Sequence, residues 1–101
     1  MIYRDGNTLV VEGGVTLRNV AGLTRQGIAL LDSNALRVDL QKITEVDSTA
    51  ISMLFEWQRM ADRKGCRLEF IHFPESLASL MQLYGVTSLL TSSPDHSSAP
   101  S

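Results

Sequence analysis

The stretch Leu36-Arg37-Val38-Asp39-Leu40-Gln41-Lys42-Ile43-Thr44-Glu45-Val46-Asp47-Ser48-Thr49-Ala50 decides the architecture. Leu36, Val38 and Leu40 alternate with Arg37 and Asp39, the two-residue period of a half-buried strand. Residues 41–46 read as a short loop. From Ser48 the apolar residues fall on a helical period as far as Lys64, and Arg63 and Lys64 suit the negative end of the helix dipole. Gly65 follows as an αL stop. Arg67 to His72 then predicts another strand. Strand, helix and strand in that order imply parallel neighbours joined by a crossover, which is right-handed in nearly all sheets.

On the N-terminal side, Ile2 to Arg4 and Thr8 to Glu12 predict two short strands parted by Asp5-Gly6-Asn7, a three-residue connection whose glycine suits a hairpin. Gly13-Gly14 breaks the pattern. Leu17, Val20, Ala21, Ile28 and Leu31 then share one helical face with Thr24 and Gly27, which predicts a helix from Leu17, capped by Thr16 and closed by Asp32-Ser33-Asn34. Gly27 inside that helix costs about 1 kcal/mol relative to Ala. On the C-terminal side, Pro74 and Glu75 open a third helix with the face Leu77, Leu80, Met81 and Tyr84. Gly85 ends it, and Leu89-Leu90 add a final apolar contact. Thr91 to Ser101 is Ser/Pro-rich without an apolar period and is expected to be disordered. The expectation is one α/β domain over residues 1–90, a small mixed sheet layered with helices in the order β-β-α-β-α-β-α, with a tail over 91–101.

A chain of 101 residues with 44% hydrophobic content builds a core without staples. Nine basic and eleven acidic residues nearly cancel, so nothing supplies the basic field of a nucleic-acid or anionic-membrane binder. Cys66 is the single cysteine, which excludes an intramolecular disulfide, and with His72 and His96 it makes no convincing zinc set. It reads as a small semi-buried residue beside the turn at Gly65. The start, Met1-Ile2-Tyr3-Arg4-Asp5-Gly6, lacks the basic and then apolar runs of a signal peptide, and no apolar stretch approaches the roughly 20 residues that span a bilayer. The expectation is a soluble cytosolic chain with no direct membrane insertion.

Asp47, Ser48 and Thr49 place a carboxylate and two hydroxyls at the first turn of a helix, where several backbone N–H groups lack intrahelical partners. One reading is capping, in which Asp47 or Ser48 accepts from an N–H two or three residues on, worth about 1 kcal/mol. The other is a switch. A phosphate on a hydroxyl here would be welcomed by free N–H groups and the dipole, and would add nearly two negative charges to the surface. Within the helix, Ala50, Leu54, Trp57 and Ala61 form a central apolar stripe, widened by Ile51 and Phe55 on one side and by Met53 and Met60 on the other. That arc covers about 220°, against the roughly 100° a surface helix needs. Either neighbouring helices bury the excess, or one margin, Met53, Met60 and part of Trp57, meets another protein. Ser48, Ser52, Glu56, Arg59 and Arg63 make the polar face.

Leu36-Arg37-Val38-Asp39-Leu40 followed by Val46-Asp47-Ser48-Thr49-Ala50 resembles the signature of STAS domains, with the match covering about residues 6 to 90. Ala50 stands where many members have Gly. Leu83-Tyr84-Gly85-Val86 with Leu89-Leu90 is similar to the C-terminal end of the MlaB branch, the small cytoplasmic STAS subunits of a Gram-negative phospholipid ABC transporter. Gly14-Val15-Thr16-Leu17 is similar to that branch too. The resemblance implies a non-catalytic subunit, without cofactor, peripheral to the inner membrane. It would bind an ABC transporter ATPase, and through it a membrane permease. Ser48, Thr49 and Asp47 would form the junction, and Met53, Trp57 and Met60 the interface margin. In the anti-sigma-factor antagonist branch the hydroxyl after the Asp is phosphorylated, and that position is Ser48 here. Catalysis has little support in the residues. His72 and Cys66 lack a third group to complete a nucleophile, base and orienter set, and no Gly-rich phosphate loop is present.

Overall fold

In a computed structural model that describes residues 1–32 and 34–91, the chain runs β1 (Ile2–Asp5), β2 (Thr8–Val11), β3 (Gly13–Val15), α1 (Val20–Leu30), β4 (Leu36–Asp39), β5 (Ile43–Val46), α2 (Ser48–Lys64), β6 (Leu68–Ile71), α3 (Glu75–Leu83) and α4 (Thr87–Thr91). Alternation in the strands sorts residues to two faces. Leu9, Val11, Leu36, Val38, Leu68 and Phe70 are buried in the core, while Arg37 and Glu69 stand outside and are joined by an ion pair at 3.4 Å. The sheet order is β1-β2-β4-β6, with β1 antiparallel to β2 and the other neighbours parallel. The expected parallel unit is present, with β4 and β6 in register from Leu36↔Leu68 to Asp39↔Ile71 and α2 between them in sequence. The hairpin turn is tighter than expected. Asp5 pairs with Thr8, so Gly6 and Asn7 alone reverse the chain, and Gly6 takes the positive φ (+63°) that a two-residue turn with leading glycine uses.

Residues 41–46, read as a loop, contain a strand instead. β5 pairs in parallel with β3, the segment whose Gly13-Gly14 reads as a break. Its register shifts between Gly13 and Gly14, and Gly13 has φ +89°, so the glycines make an irregular strand possible where side chains would not.

Helix α1 also departs from expectation. It starts at Val20, with Asn19 rather than Thr16 at its N-cap. Leu17 therefore lies outside the helix and is 75% exposed, and Ala21 is exposed as well. The buried face is Leu23, Gly27 and Leu31, flanked by half-buried Val20, Thr24 and Ile28. Gly27 has a packing reason. The Trp57 indole of α2 lies against it so closely that a Cβ there would come within 2.3 Å of the ring, and the indole N–H donates to the Thr24 carbonyl at 3.0 Å. No basic residue stands in the last turn of α1, yet cations reach its end from elsewhere. Lys64 donates to the Ile28 carbonyl at 3.1 Å, and Arg4 pairs with Asp32 at 2.9 Å.

Helix α2 has the expected bounds and ends at Gly65, φ +72°. In α3, Leu77 and Met81 are buried as expected, but Tyr84 is its C-cap and 55% exposed. Leu90 in α4 reaches the core, while Leu89 stays 64% exposed. The expected disordered tail lies outside the described residues, except for Thr91, which closes α4.

Candidate docking site at the start of the second helix

Asp47 caps α2. Its Oδ1 accepts the Thr49 N–H at 2.9 Å and also the Thr49 hydroxyl, while its Oδ2 accepts the N–H of Leu17 at 2.9 Å from the loop between β3 and α1. The Asp47 N–H donates to the Val15 carbonyl at 3.3 Å. The Thr49 hydroxyl, then the Leu17 amide, hold the Asp47 carboxyl below the usual carboxylate range, because both bonds favour the charged form. Capping therefore accounts for Asp47 and Thr49. Ser48, between them in sequence, is exposed at the helix start.

The margin expected to meet a partner is corrected in part. Met53 and Trp57 are each 1% exposed, Trp57 lying against Gly27 of α1 and both belonging to the core, and Met60 is half-buried. Neighbouring elements absorb the wide apolar arc on that side. The surface of α2 is instead the stripe Ser48, Ser52, Phe55, Glu56 and Arg59, on which Phe55 and Glu56 are half-buried. Arg59 grips the Glu56 carboxylate through both oxygens at 2.8 and 2.9 Å. A shallow groove runs along Ser52, Phe55, Glu56 and Arg59, and a second lies across Thr16, Leu17, Arg18, Glu45, Val46 and Asp47 at the junction. Leu17 was missed from sequence. Its link to Asp47 spans 30 positions, and the apolar period places it on a helix face.

The other nucleophile and base candidates are not brought together. Cys66 is buried before β6, and burial pushes its thiol up. His72 lies beyond the opposite end of that strand, about 20 Å away at strand rise, with φ +59° and Nδ1 3.2 Å from Asp39 Oδ1. His96 lies outside the described residues.

A family model described as "Mlab, STAS domain" matches residues 2–91. A solved structure titled "Crystal Structure Analysis of Mglu" superposes with a TM-score of 0.59 at 16% identity, over 76% of this chain and 20% of that one. That likeness carries the fold alone, and the chain spans one fifth of that protein's length. No curated protein matches.

Proposed function

The chain belongs to the MlaB-type STAS domain family, and from that membership we propose that it is a non-catalytic subunit that docks onto the ATPase of a phospholipid-transporting ABC system and regulates or stabilises it. The observation that carries the reading is the exposed Ser48 at the head of the α2 stripe, flanked by Asp47 and Thr49 whose own bonds fix the helix start. A rigid, near-neutral surface with one half-buried aromatic on it suits a protein partner better than a charged polymer. In this role the chain sits in the cytoplasm, held at the inner membrane through its complex. No helix among the described residues is long and apolar enough to cross a membrane itself.

Binding to the purified ATPase subunit, followed by calorimetry, tests this. Wild-type chain binds, and Ser48→Arg weakens binding about thirtyfold or more, because an unpaired charge is driven into the interface. Undiminished binding of that variant would remove Ser48 from the docking face, and no binding by wild type would remove the partner. The exposure of Ser48 supports a second reading equally, an anti-sigma-factor antagonist switched by phosphorylation of Ser48. Incubation with ATP and a cognate serine kinase distinguishes it, since one phosphate on Ser48 is then expected.

A further inference from the structure

Strand β6 leaves one side of its backbone unused. The N–H groups of Leu36 and Leu40 donate to the Arg67 and Ile71 carbonyls at 2.8 and 3.1 Å, so the odd-numbered residues of this strand address β4. The N–H and C=O groups of Leu68 and Phe70 therefore point away from β4, and among the described residues they have no partner. The other edge strand is blunted. β1 carries a charge on its core face, Arg4 opposite Leu9, bonded to the Gly6 carbonyl at 2.8 Å and to Asp32 at 2.9 Å. β6 has no inward charge and no proline, since Leu68 and Phe70 face the core while Arg67 and Glu69 face water. A groove lined by Gln58, Asp62, Gly65, Cys66, Arg67 and Leu68 opens beside its first half, and α4 lies near it with Leu90 in the core. Glu69 pairs with Arg37, but Arg67 has no ion-pair partner among the described residues.

We propose that β6 is the interface of a symmetric homodimer, pairing antiparallel with β6 of a second copy about a twofold axis at Leu68. The charges choose the register. With Leu68 opposite Leu68 of the second copy, Arg67 faces the second copy's Glu69 on the water side, and the symmetry repeats the pair. A row of Arg37, Glu69 and the second copy's Arg67 then alternates in sign across the interface. Sliding the strands by a full pleat repeat sets Arg67 against Arg67 or Glu69 against Glu69, which like-charge repulsion disfavours. Sliding by half a repeat turns core-facing side chains to water. The backbone agrees with the same register. Each Leu68 N–H meets the other copy's Leu68 carbonyl, and each Phe70 N–H meets the other copy's Cys66 carbonyl. The ladder ends there, because the Cys66 N–H already donates to the Ala61 carbonyl at 2.8 Å and the chain bends at Gly65 (φ +72°) and His72 (φ +59°). So short a ladder falls below what permanent dimers bury, and the association is a weak one, between about 0.1 and 1 mM. The inference does not depend on the ATPase reading. β6 follows the end of α2 at Lys64, about 24 Å along the helix from Ser48, so the two surfaces are separate.

Analytical ultracentrifugation of the chain alone, from about 10 μM to about 1 mM, tests this, with amide exchange followed by NMR at both ends of the range. Wild type should move from monomer toward dimer, and exchange at Leu68 and Phe70 should slow only in the concentrated sample. Arg67→Glu and Glu69→Arg should each weaken the dimer about tenfold or more, because both symmetric pairs become like-charged. Both residues are exposed, so the thermal midpoint of the monomer should move little. An equimolar mixture of the two variants should dimerise again, and so should the double variant Arg67→Glu/Glu69→Arg, because each restores opposite signs across the axis. Four results would each overturn the proposal. They are a wild type that stays monomeric to the top concentration, a dimer indifferent to both single variants, a mixture that stays monomeric, and a Leu68 amide that exchanges equally at both concentrations.

Discussion

At position 27, helix propensity and packing pull in opposite directions. Alanine would gain about 1 kcal/mol of propensity over glycine, but its Cβ would press into the Trp57 indole at 2.3 Å, and a buried ring sealed by α1 and the core has nowhere to go. Overpacking of that kind costs about 1–3 kcal/mol. Gly27→Ala is therefore expected to lower the urea midpoint, and a rise would show that the indole yields. At position 47 the lowered carboxyl makes a statement about acid. Its folded-state pKa lies below the unfolded value, so its contribution is fully present above the ordinary carboxylate range and is lost as pH falls through the folded value. Asp32, held down by the Arg4 side chain and the Asn34 amide, adds in the same direction. Urea midpoints taken from about pH 6 to about pH 3 should fall, and Asp47→Asn should flatten part of that slope. Cys66 is 4% exposed with its thiol pushed up by burial, so a disulfide reagent should react slowly with the native chain and promptly in denaturant.

Among the elements, α2 is where sequence and structure agree best, because its period is long, its cap is a carboxylate and its stop is a glycine in αL. Gly65 has open space where a Cβ would sit, so its value lies in the backbone alone. Gly65→Ala should cost about 1–2 kcal/mol in chemical denaturation, and Gly65→Asn less, since Asn visits αL more readily. The elements misread share a physical cause, which is that none of their determinants is an apolar period. The β3–β5 pair is three or four residues long and leans on a bulged glycine pair, so it has no period to display. The start of α1 is set by Asn19 tying the preceding loop back to Gly14, not by a side chain reaching into the helix, and Thr16 has the right chemistry in the wrong place. The arc of α2 showed that something covers it. Only the fold reveals that Met53 and Trp57 are sealed in the core, Trp57 against α1, and that Ser48, Ser52 and Arg59 stay exposed.

For the whole molecule, β2 and β4 are the strands flanked on both sides, with β1 and β6 at the edges. Hydrogen exchange should accordingly be slowest in β2, β4 and the buried face of α2, and fastest in α4 and the β3–β5 pair, which belongs to no larger sheet. Residue chemistry made the capping half of the site legible at Asp47, since a cap is local, while Ser48, the other candidate, is not the cap. The Leu17 half joins two loops 30 positions apart and needed the fold to bring them together. The α1–α2 contact has one more use. Trp57 is the single tryptophan, sealed between these helices with its N–H bonded to a carbonyl, whereas the Ser48 stripe lies on the other side of the same helix. Its emission is a built-in optical gauge. A partner that settles on the stripe leaves the indole dry and its light blue, while one that prises α1 away lets water in and turns it red, so a single cuvette separates recognition from remodelling.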